Sequence, residues 1–440
     1  AGRHSAWASR RRACTSGAVG TVARSGTRGL VAAAAAGASS SLAAARQALG
    51  GSSAGAGTPR EAATATATAG VVVRPGPVSG ESAAAPRRLP PNLRRVTSTD
   101  LDAWARGPAV LGHAHSRPSC EPYALSAVRE MGRGAEVPED WSVRLLSAAG
   151  MKGRESPNQD AFSYTVLDNG WIVCVACDGH GEQGEVISER VARMIPFFLS
   201  LHLPALSLDE ALPRAFAQAQ TDLERCFSSA QAYSGTTVAA CCIHGERHEA
   251  WFAHAGDSRA VLGDLVSSTP LFVTEEHKAH DPGEHQRLEE AGAQVITKRY
   301  EDGELVSRIF IPKTGIPGLA MSRSLGDGCL KKYGVIAEPE VRNVSNLWER
   351  STAPFVVLAS DGLWDAITAE HTVSELAGRR RQGLDVLLGA EALLRRSQRL
   401  WIEAEGDYCD DVTVLLVVPS SGLVANPEDV EIEDATMEVM

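Results

Sequence analysis

The amino-acid sequence predicts an α+β sandwich, and three observations carry that reading. Apolar runs of strand length, such as Trp171 to Cys177 and Val356 to Ala359, end in turn residues. Helical periodicity is gathered into two blocks, residues 186–227 and 370–404. Strands and helices do not alternate as regular βαβ units, which argues against a doubly wound parallel sheet.

Residues 1–137 differ in composition from the rest of the chain. Ala, Ser, Gly, Arg and Thr dominate them, and large apolar side chains are too sparse to offset the entropy of ordering. They are expected to be largely disordered. The Arg-rich, acid-poor opening resembles an organelle transit peptide, and a plain low-complexity tail is the other reading. A short helix is expected over Ser98 to Trp104, capped by Ser98 or Thr99. The folded domain is placed at 138–419, followed by an acidic tail at 420–440.

Within 138–419, Val143 and Leu145 begin a strand, and a polar loop runs from Lys152 to Asp160. Ala161 to Val166 and Trp171 to Cys177 read as a hairpin, because Asn169-Gly170 supplies the turn. After Gly181 the period lengthens. Val186, Ile187, Val191, Ile195 and Leu199 share one helix face, and Leu208 to Phe227 forms a second helix. Strands return at Thr236 to Ile243, Glu249 to Ala255 and Arg259 to Leu262. Asp281-Pro282 opens a helix that Gly292 ends. Residues 293–320 read as a flap of short strands and turns. Val412 to Val418 is the last strand.

Charge is unevenly distributed. The chain carries −11 overall, but residues 1–99 alone carry +11, with thirteen Arg against Glu61 and Glu81. The remainder is strongly acidic, a poor surface for nucleic acid and a natural host for cations. Nine cysteines over this length do not make a disulfide scaffold, so a reducing compartment fits. Cys174 and Cys177 form a C-x-x-C, yet they lie in an apolar strand and no second pair completes a zinc set. No apolar run reaches the roughly 20 residues of a spanning helix, so the chain reads as soluble with no membrane span.

The chemistry is expected where strands meet loops. Asp160, Asp178, Asp257, Asp361, Asp365 and Asp410 all stand at such junctions, most beside small residues. Any one of them could be a turn residue, since Asp-Gly is common in turns. Four or more brought together would repel unless cations neutralised them. Oxygen-only ligation suits Mg²⁺ or Mn²⁺ better than zinc. Two such ions can clamp a phosphoryl group, with an Arg on its oxygens and a His supplying a proton to the leaving group. There is no Walker-type loop and no D-x-D-x-[TV] motif, which disfavours nucleotide and aspartyl-phosphate chemistry.

A series of blocks occurs in one order: Asn158-Gln159-Asp160-Ala161, Cys177-Asp178-Gly179-His180-Gly181, Ser234-Gly235-Thr236-Thr237 and Gly256-Asp257-Ser258-Arg259-Ala260. Glu276-His277-Lys278, Leu319-Ala320-Met321-Ser322-Arg323-Ser324-Leu325-Gly326-Asp327, Ser360-Asp361-Gly362 and Asp410-Asp411 continue it. This arrangement, from about Trp141 to Val418, resembles the PP2C (PPM) family of metal-dependent serine/threonine protein phosphatases. The resemblance implies a four-layer α-β-β-α sandwich of two antiparallel sheets flanked by helices. It implies two Mg²⁺ or Mn²⁺ ions, bridged by Asp178 and bound by the Gly179 carbonyl, Asp361 and Asp410. Asp160 would act through water, and Asp257 and Asp365 would join Asp361 at a weaker third site. His180 would be the general acid and a metal-bridging water the nucleophile.

The chain departs from that pattern in places. Gln159 replaces a frequent Glu, Glu276 a frequent Asp, and Asp411 a frequent Asn. The family's phosphate-binding Arg usually lies five residues before the Asp; Glu155 holds that position here, so Arg154 is assigned the role. The implied partners are phosphoprotein substrates, with a monomer as the default. The rival reading is a catalytically weak or inactive scaffold module. Location is expected in the cytoplasm or nucleus, or in an organelle if the N-terminus is a transit peptide.

Overall fold

The computed structural model describes residues 95–423, apart from 126, 132–136, 154–155, 301–302 and 304. The transit-peptide reading, Arg154 and most of the acidic tail lie outside the described residues. The strands in chain order are β1 Val110–Arg117, β2 Ala127–Met131, β3 Trp141–Ala148, β4 Asp160–Leu167, β5 Ile172–His180 and β6 Gly235–Thr236. Next come β7 Val238–His244, β8 Glu249–Ala255, β9 Arg259–Asp264, β10 Pro270–Val273, β11 Gln294–Arg299 and β12 Leu305–Phe310. The series ends with β13 Pro317–Leu319, β14 Leu325–Gly326, β15 Glu340–Asn343, β16 Pro354–Ala359 and β17 Val412–Pro419.

Two antiparallel sheets dominate. One runs β15-β8-β7-β5-β4-β1-β2, with β6 and β14 attached beside β5; the other runs β10-β9-β16-β17-β3. The period-two alternation of each central strand feeds two cores at once. Along β5, Ile172, Cys174 and Ala176 pack between the sheets against Val356, Leu358, Leu415 and Val417. The intervening Val173, Val175 and Cys177 pack outward under the helices Gly184–His202 and Leu208–Cys226. Val357, Ala359, Val414 and Leu416 likewise pack under the helices Ala369–Arg381 and Leu387–Glu405. The layer order is therefore α-β-β-α. These strands are near-continuously apolar because both of their faces are covered.

The C-x-x-C obeys the same parity. Cys174 and Cys177 point into different cores, so they are packing residues that cannot share a metal. The helix Gly184–His202 inserts Ile187, Val191, Ile195 and Phe198, all at most 1% exposed. Truncating Phe198 to Ala would cost about 3–5 kcal/mol.

The folded part begins earlier than the boundary expected at 137/138. β1 pairs with β4 over Val110 to His115, and β2 pairs with β1. The helix Ser98–Ala105 precedes them, and its cap is Thr97 rather than Ser98 or Thr99. Thr97 and Asp100 form a reciprocal capping box, at 3.1 and 2.8 Å. Arg193 holds Asp102, and Trp104 Nε1 donates to Ser200 Oγ at 3.0 Å. β1 is illegible in sequence because its buried residues include His113 and His115 instead of branched apolar side chains. The flap is a separate β11-β12-β13 sheet over a small core of Leu288, Ile309, Leu319 and Leu330.

Candidate active site

The inter-sheet core ends in acids. In β4, Phe162, Tyr164 and Val166 face inward, so two-residue alternation places Asp160 on the same face. Asp178 extends the inward row of β5, and the hairpin register sets it directly opposite Asp160. From the facing sheet, Asp361 comes just after the end of β16 and Asp410 just before the start of β17. Ser360 ties the two sheets together. Its Oγ donates to Asp160 Oδ2 at 2.7 Å and accepts from the Thr413 N–H at 3.0 Å.

These carboxylates feel one another. Burial pushes the Asp178 pKa well above the ordinary range, and the charges of Asp361, Asp160 and Asp410 add to it. Asp160 is raised for the same first reason, with Asp411 next. Asp361 also belongs to a second group. Asp365 is raised by burial and then by Asp361 and Asp257. Asp257 goes the other way: burial opposes its charge, but Lys278 Nζ, 2.5 Å from Oδ2, outweighs it and the pKa is lowered. The structure thus brings together Asp160, Asp178, Asp361 and Asp410, with Asp257 and Asp365 on the Asp361 side.

Two lysines supply fixed positive charge. One is Lys278, on Asp257. The other is Lys152, whose Nζ lies 2.8 Å from Asp410 Oδ1 and 2.7 Å from Asp411 Oδ2. Burial works against its ammonium, yet Asp410 and Asp411 hold its pKa well above that of an ordinary lysine. Asp411 is a structural tie as well. It accepts from the Gly150 N–H at 2.7 Å and the Gln159 N–H at 2.8 Å, anchoring both ends of the 150–159 loop.

His180 ends β5, and its Nε2 lies 2.7 Å from Asp327 Oδ2. Burial would discharge the ring, but Asp327 outweighs burial and the pKa is raised. The glycines around it are required by space. A Cβ on Gly179 would fall 2.4 Å from the Gly184 carbonyl oxygen and 2.5 Å from that of Gln159. Gly181 takes φ +88°, with Ser234 Cα 2.7 Å from where its Cβ would be.

The oxygen-only donor set fits hard divalent cations. Asp257 Oδ1 and Asp365 Oδ2 are buried without a hydrogen-bond partner, and the pKa values of Asp178 and Asp365, raised by burial and then by acid neighbours, mark a deficit of positive charge. His254, His277 and Glu340 also lie close together. The two rings are stacked with their planes 15° apart, so their in-plane lone pairs do not converge on one ion. Sequence reasoning gives no role to Lys152, Lys278, Asp327 or Ser360. Lys152 and Ser360 lie in or beside loops that carry the acids, whereas Lys278 and Asp327 lie in other loops, and a polar residue in a loop bears no sign of which acid it will meet.

A family model described as Protein phosphatase 2C matches residues 159–399. The chain is 31% identical over 343 residues to probable protein phosphatase 2C 12 of Oryza sativa subsp. japonica, covering 65% of this chain and 85% of that protein. It is 30% identical over 321 residues to probable protein phosphatase 2C 65 of Arabidopsis thaliana, covering 66% and 80%. Among solved structures, a serine-threonine phosphatase 2C from Toxoplasma gondii aligns with TM-score 0.50 at 20% identity, covering 70% of this chain and 98% of that one. A C. elegans sex determining protein aligns with TM-score 0.53 at 21% identity, covering 67% and 68%. The structural likenesses speak for the fold, and the family match spans the strands and loops that carry most of the acid cluster. On these grounds the chain belongs to the protein phosphatase 2C family.

Proposed function

We propose that the chain hydrolyses phosphoserine and phosphothreonine in proteins with the help of divalent cations. The observation that carries this is the meeting of Asp160 and Asp178 from one sheet with Asp361 and Asp410 from the other, beside His180. Asp178, Asp361, Asp410 and the Gly179 carbonyl would hold two Mg²⁺ or Mn²⁺ ions, with Asp160 reaching them through water. Asp257 and Asp365, each with an unpartnered oxygen, would complete a weaker third site with Asp361. Such ions supply Lewis-acid activation of a water and neutralise phosphoryl oxygens.

The protein's own side chains do the rest. The paired sheets hold the acids at fixed separation and exclude bulk water. His180 donates a proton to the departing serine or threonine oxygen. Arg154, which lies outside the described residues, is assigned to the phosphate oxygens by its sequence position six residues before Asp160. No residue in the set has lost its carboxylate, which favours an enzyme over a scaffold.

The test is release of phosphate from a phosphothreonine peptide by the full chain with Mn²⁺ or Mg²⁺, with and without chelator. Activity that depends on the ion and disappears in Asp361→Asn is expected. An inactive wild type with either ion would overturn the enzymatic reading, and full activity in Asp361→Asn would overturn the role of that residue.

A further inference from the structure

We propose that a polar cavity on the Asp257 side of the acid cluster holds a lysine or arginine side chain of the substrate, close in sequence to the phosphorylated residue. This rests on the phosphatase reading and adds a substrate class to it. The cavity measures about 680 Å³ and lies between the end of β10, the loop leading to the helix Pro282–Glu290, Arg323, and Glu340 on β15. Lys278 lines it, and the Lys278 ammonium reaches Asp257 at 2.5 Å. Arg259, in the same wall, feels the charges of Asp365 and Asp257. At roughly 3.3 Å of extended chain per residue, an arginine within about three residues of the phosphothreonine can reach the cavity.

The charge of the wall decides what fits. Each of its fixed cations has a carboxylate partner: Arg259 meets Glu276, Lys278 meets Asp257, and Arg323 meets Glu284 at 2.7 Å. Glu275, Asp281 and Glu340 remain. Asp281 Oδ2 accepts the Lys278 backbone N–H at 2.8 Å, and His280 lies 4.0 Å from Oδ1. Glu340 Oε1 meets Arg342 at 2.8 Å, an exposed pair that is weak in water. Burial, with His254 and Arg323 nearby, lowers the His277 pKa to about 3, so that ring offsets none of this charge. The surplus is negative, and its complement is a cation.

A bare metal ion does not suit the cavity. Among the described residues, Glu275, Asp281 and Glu340 do not gather within one coordination sphere. Val273 adds apolar wall that an ion cannot use. A lysine or arginine uses both, with its stem on Val273 and its head among separated carboxylates. The groups that meet it are open to solvent: Glu275 is exposed, and the Asp281 and Glu340 side chains are 41% and 26% exposed. His277 is a second sign of an occupant. It lines the same cavity and is only 4% exposed, and its Nε2 has no hydrogen-bond partner. Glu340 Oε2 stands 3.8 Å from it, too far to bond, so the wall keeps unspent polar capacity on the cavity side.

The experiment measures kcat/KM of the full chain on phosphothreonine peptides that carry one arginine, moved through each nearby position, with alanine elsewhere. We expect arginine at a favoured position to raise kcat/KM about tenfold through KM, the lower end for a hydrogen bond to a charged group. Citrulline, which keeps the shape without the charge, should give no gain. In the double variant Glu275→Gln, Glu340→Gln the arginine gain should vanish. Turnover of p-nitrophenyl phosphate, which has no chain to reach the cavity, should stay unchanged. No gain from arginine at any position, an equal gain from citrulline, or a gain that survives in the variant would overturn the proposal. A wild type that releases phosphate from no substrate would sink the phosphatase reading. The Kd of the same peptides carrying a fluorophore would still decide the cavity: arginine should tighten binding about tenfold in the wild type and not in the variant.

Discussion

Lys152→Met should destabilise the chelated protein by about 3 kcal/mol. The magnitude comes from what the ammonium leaves behind. Its Nζ sits 2.8 Å from Asp410 and 2.7 Å from Asp411, whose side chains are only 10% and 3% exposed. Removing one member of a buried ion pair costs about 3–5 kcal/mol, because the partner remains as an uncompensated charge. The lower end applies here, since Asp411 keeps its bonds from the Gly150 and Gln159 N–H groups and Asp410 keeps the Tyr408 hydroxyl at 3.1 Å. For a folded part of roughly 330 residues, at about 2.1 cal/mol/K of unfolding entropy per residue, the loss corresponds to a Tm drop of about 4 °C. Thermal melting of wild type and variant, each with chelator and with Mn²⁺, measures it. A cation bound at Asp410 would replace the missing positive charge, so Mn²⁺ should raise the Tm of the variant more than that of the wild type. If the chelated variant melts with the wild type, or if Mn²⁺ raises both equally, Lys152 is not the counter-charge of this site.

The pH dependence of the chelated protein has a definite sign. Asp160, Asp178 and Asp365 have folded-state pKa values raised above the unfolded 3.8, so the folded state binds more protons above that pH. Stability is therefore lost as pH rises from about 4 towards neutrality, and the Tm gap between about pH 5.5 and 7.5 should shrink in Mn²⁺; a gap indifferent to the ion contradicts the cluster. Glu284→Gln should cost about 3 kcal/mol, read by urea unfolding. Glu284 accepts from Arg287 at 2.7 and 2.8 Å, from Arg323 at 2.7 Å and from Ser322, and these bonds tie the helix Pro282–Glu290 to the Ser322-Arg323 segment. Its stability would match the wild type if the contacts were only surface pairs. A fragment beginning at residue 138 should fail to fold, because it lacks the β1 partner of β4, whereas 95–423 should melt like the full chain. Circular dichroism decides between the two, and a cooperative melt from the 138 fragment would show β1 to be dispensable.

Much of the architecture is legible because period and punctuation are local. The hairpin at Asn169-Gly170 arises from its turn residues, and Gly170 takes φ +85°. The helix Leu208–Cys226 appears at nearly its expected bounds, since one continuous face is apolar. β1 escapes sequence reading, because histidines fill positions where a strand usually shows branched residues. β6 and β7 read as one strand, because a break at Thr237 leaves no mark in composition.

The sequence by itself determined which residues could do the chemistry. The acids sit at strand ends, several beside glycines, and the order of the blocks identified the family. Only the tertiary structure decided which charges meet. Lys152 finds Asp410 and Asp411 from the far end of the domain sequence. His180 finds Asp327 across 147 residues, and Ser360 finds Asp160 across 200. A hydrogen bond or ion pair depends on distances of a few ångströms, and those are set by how the two sheets stack. No local pattern in the chain encodes that stacking, because each strand carries only its own alternation and none of its partner's register.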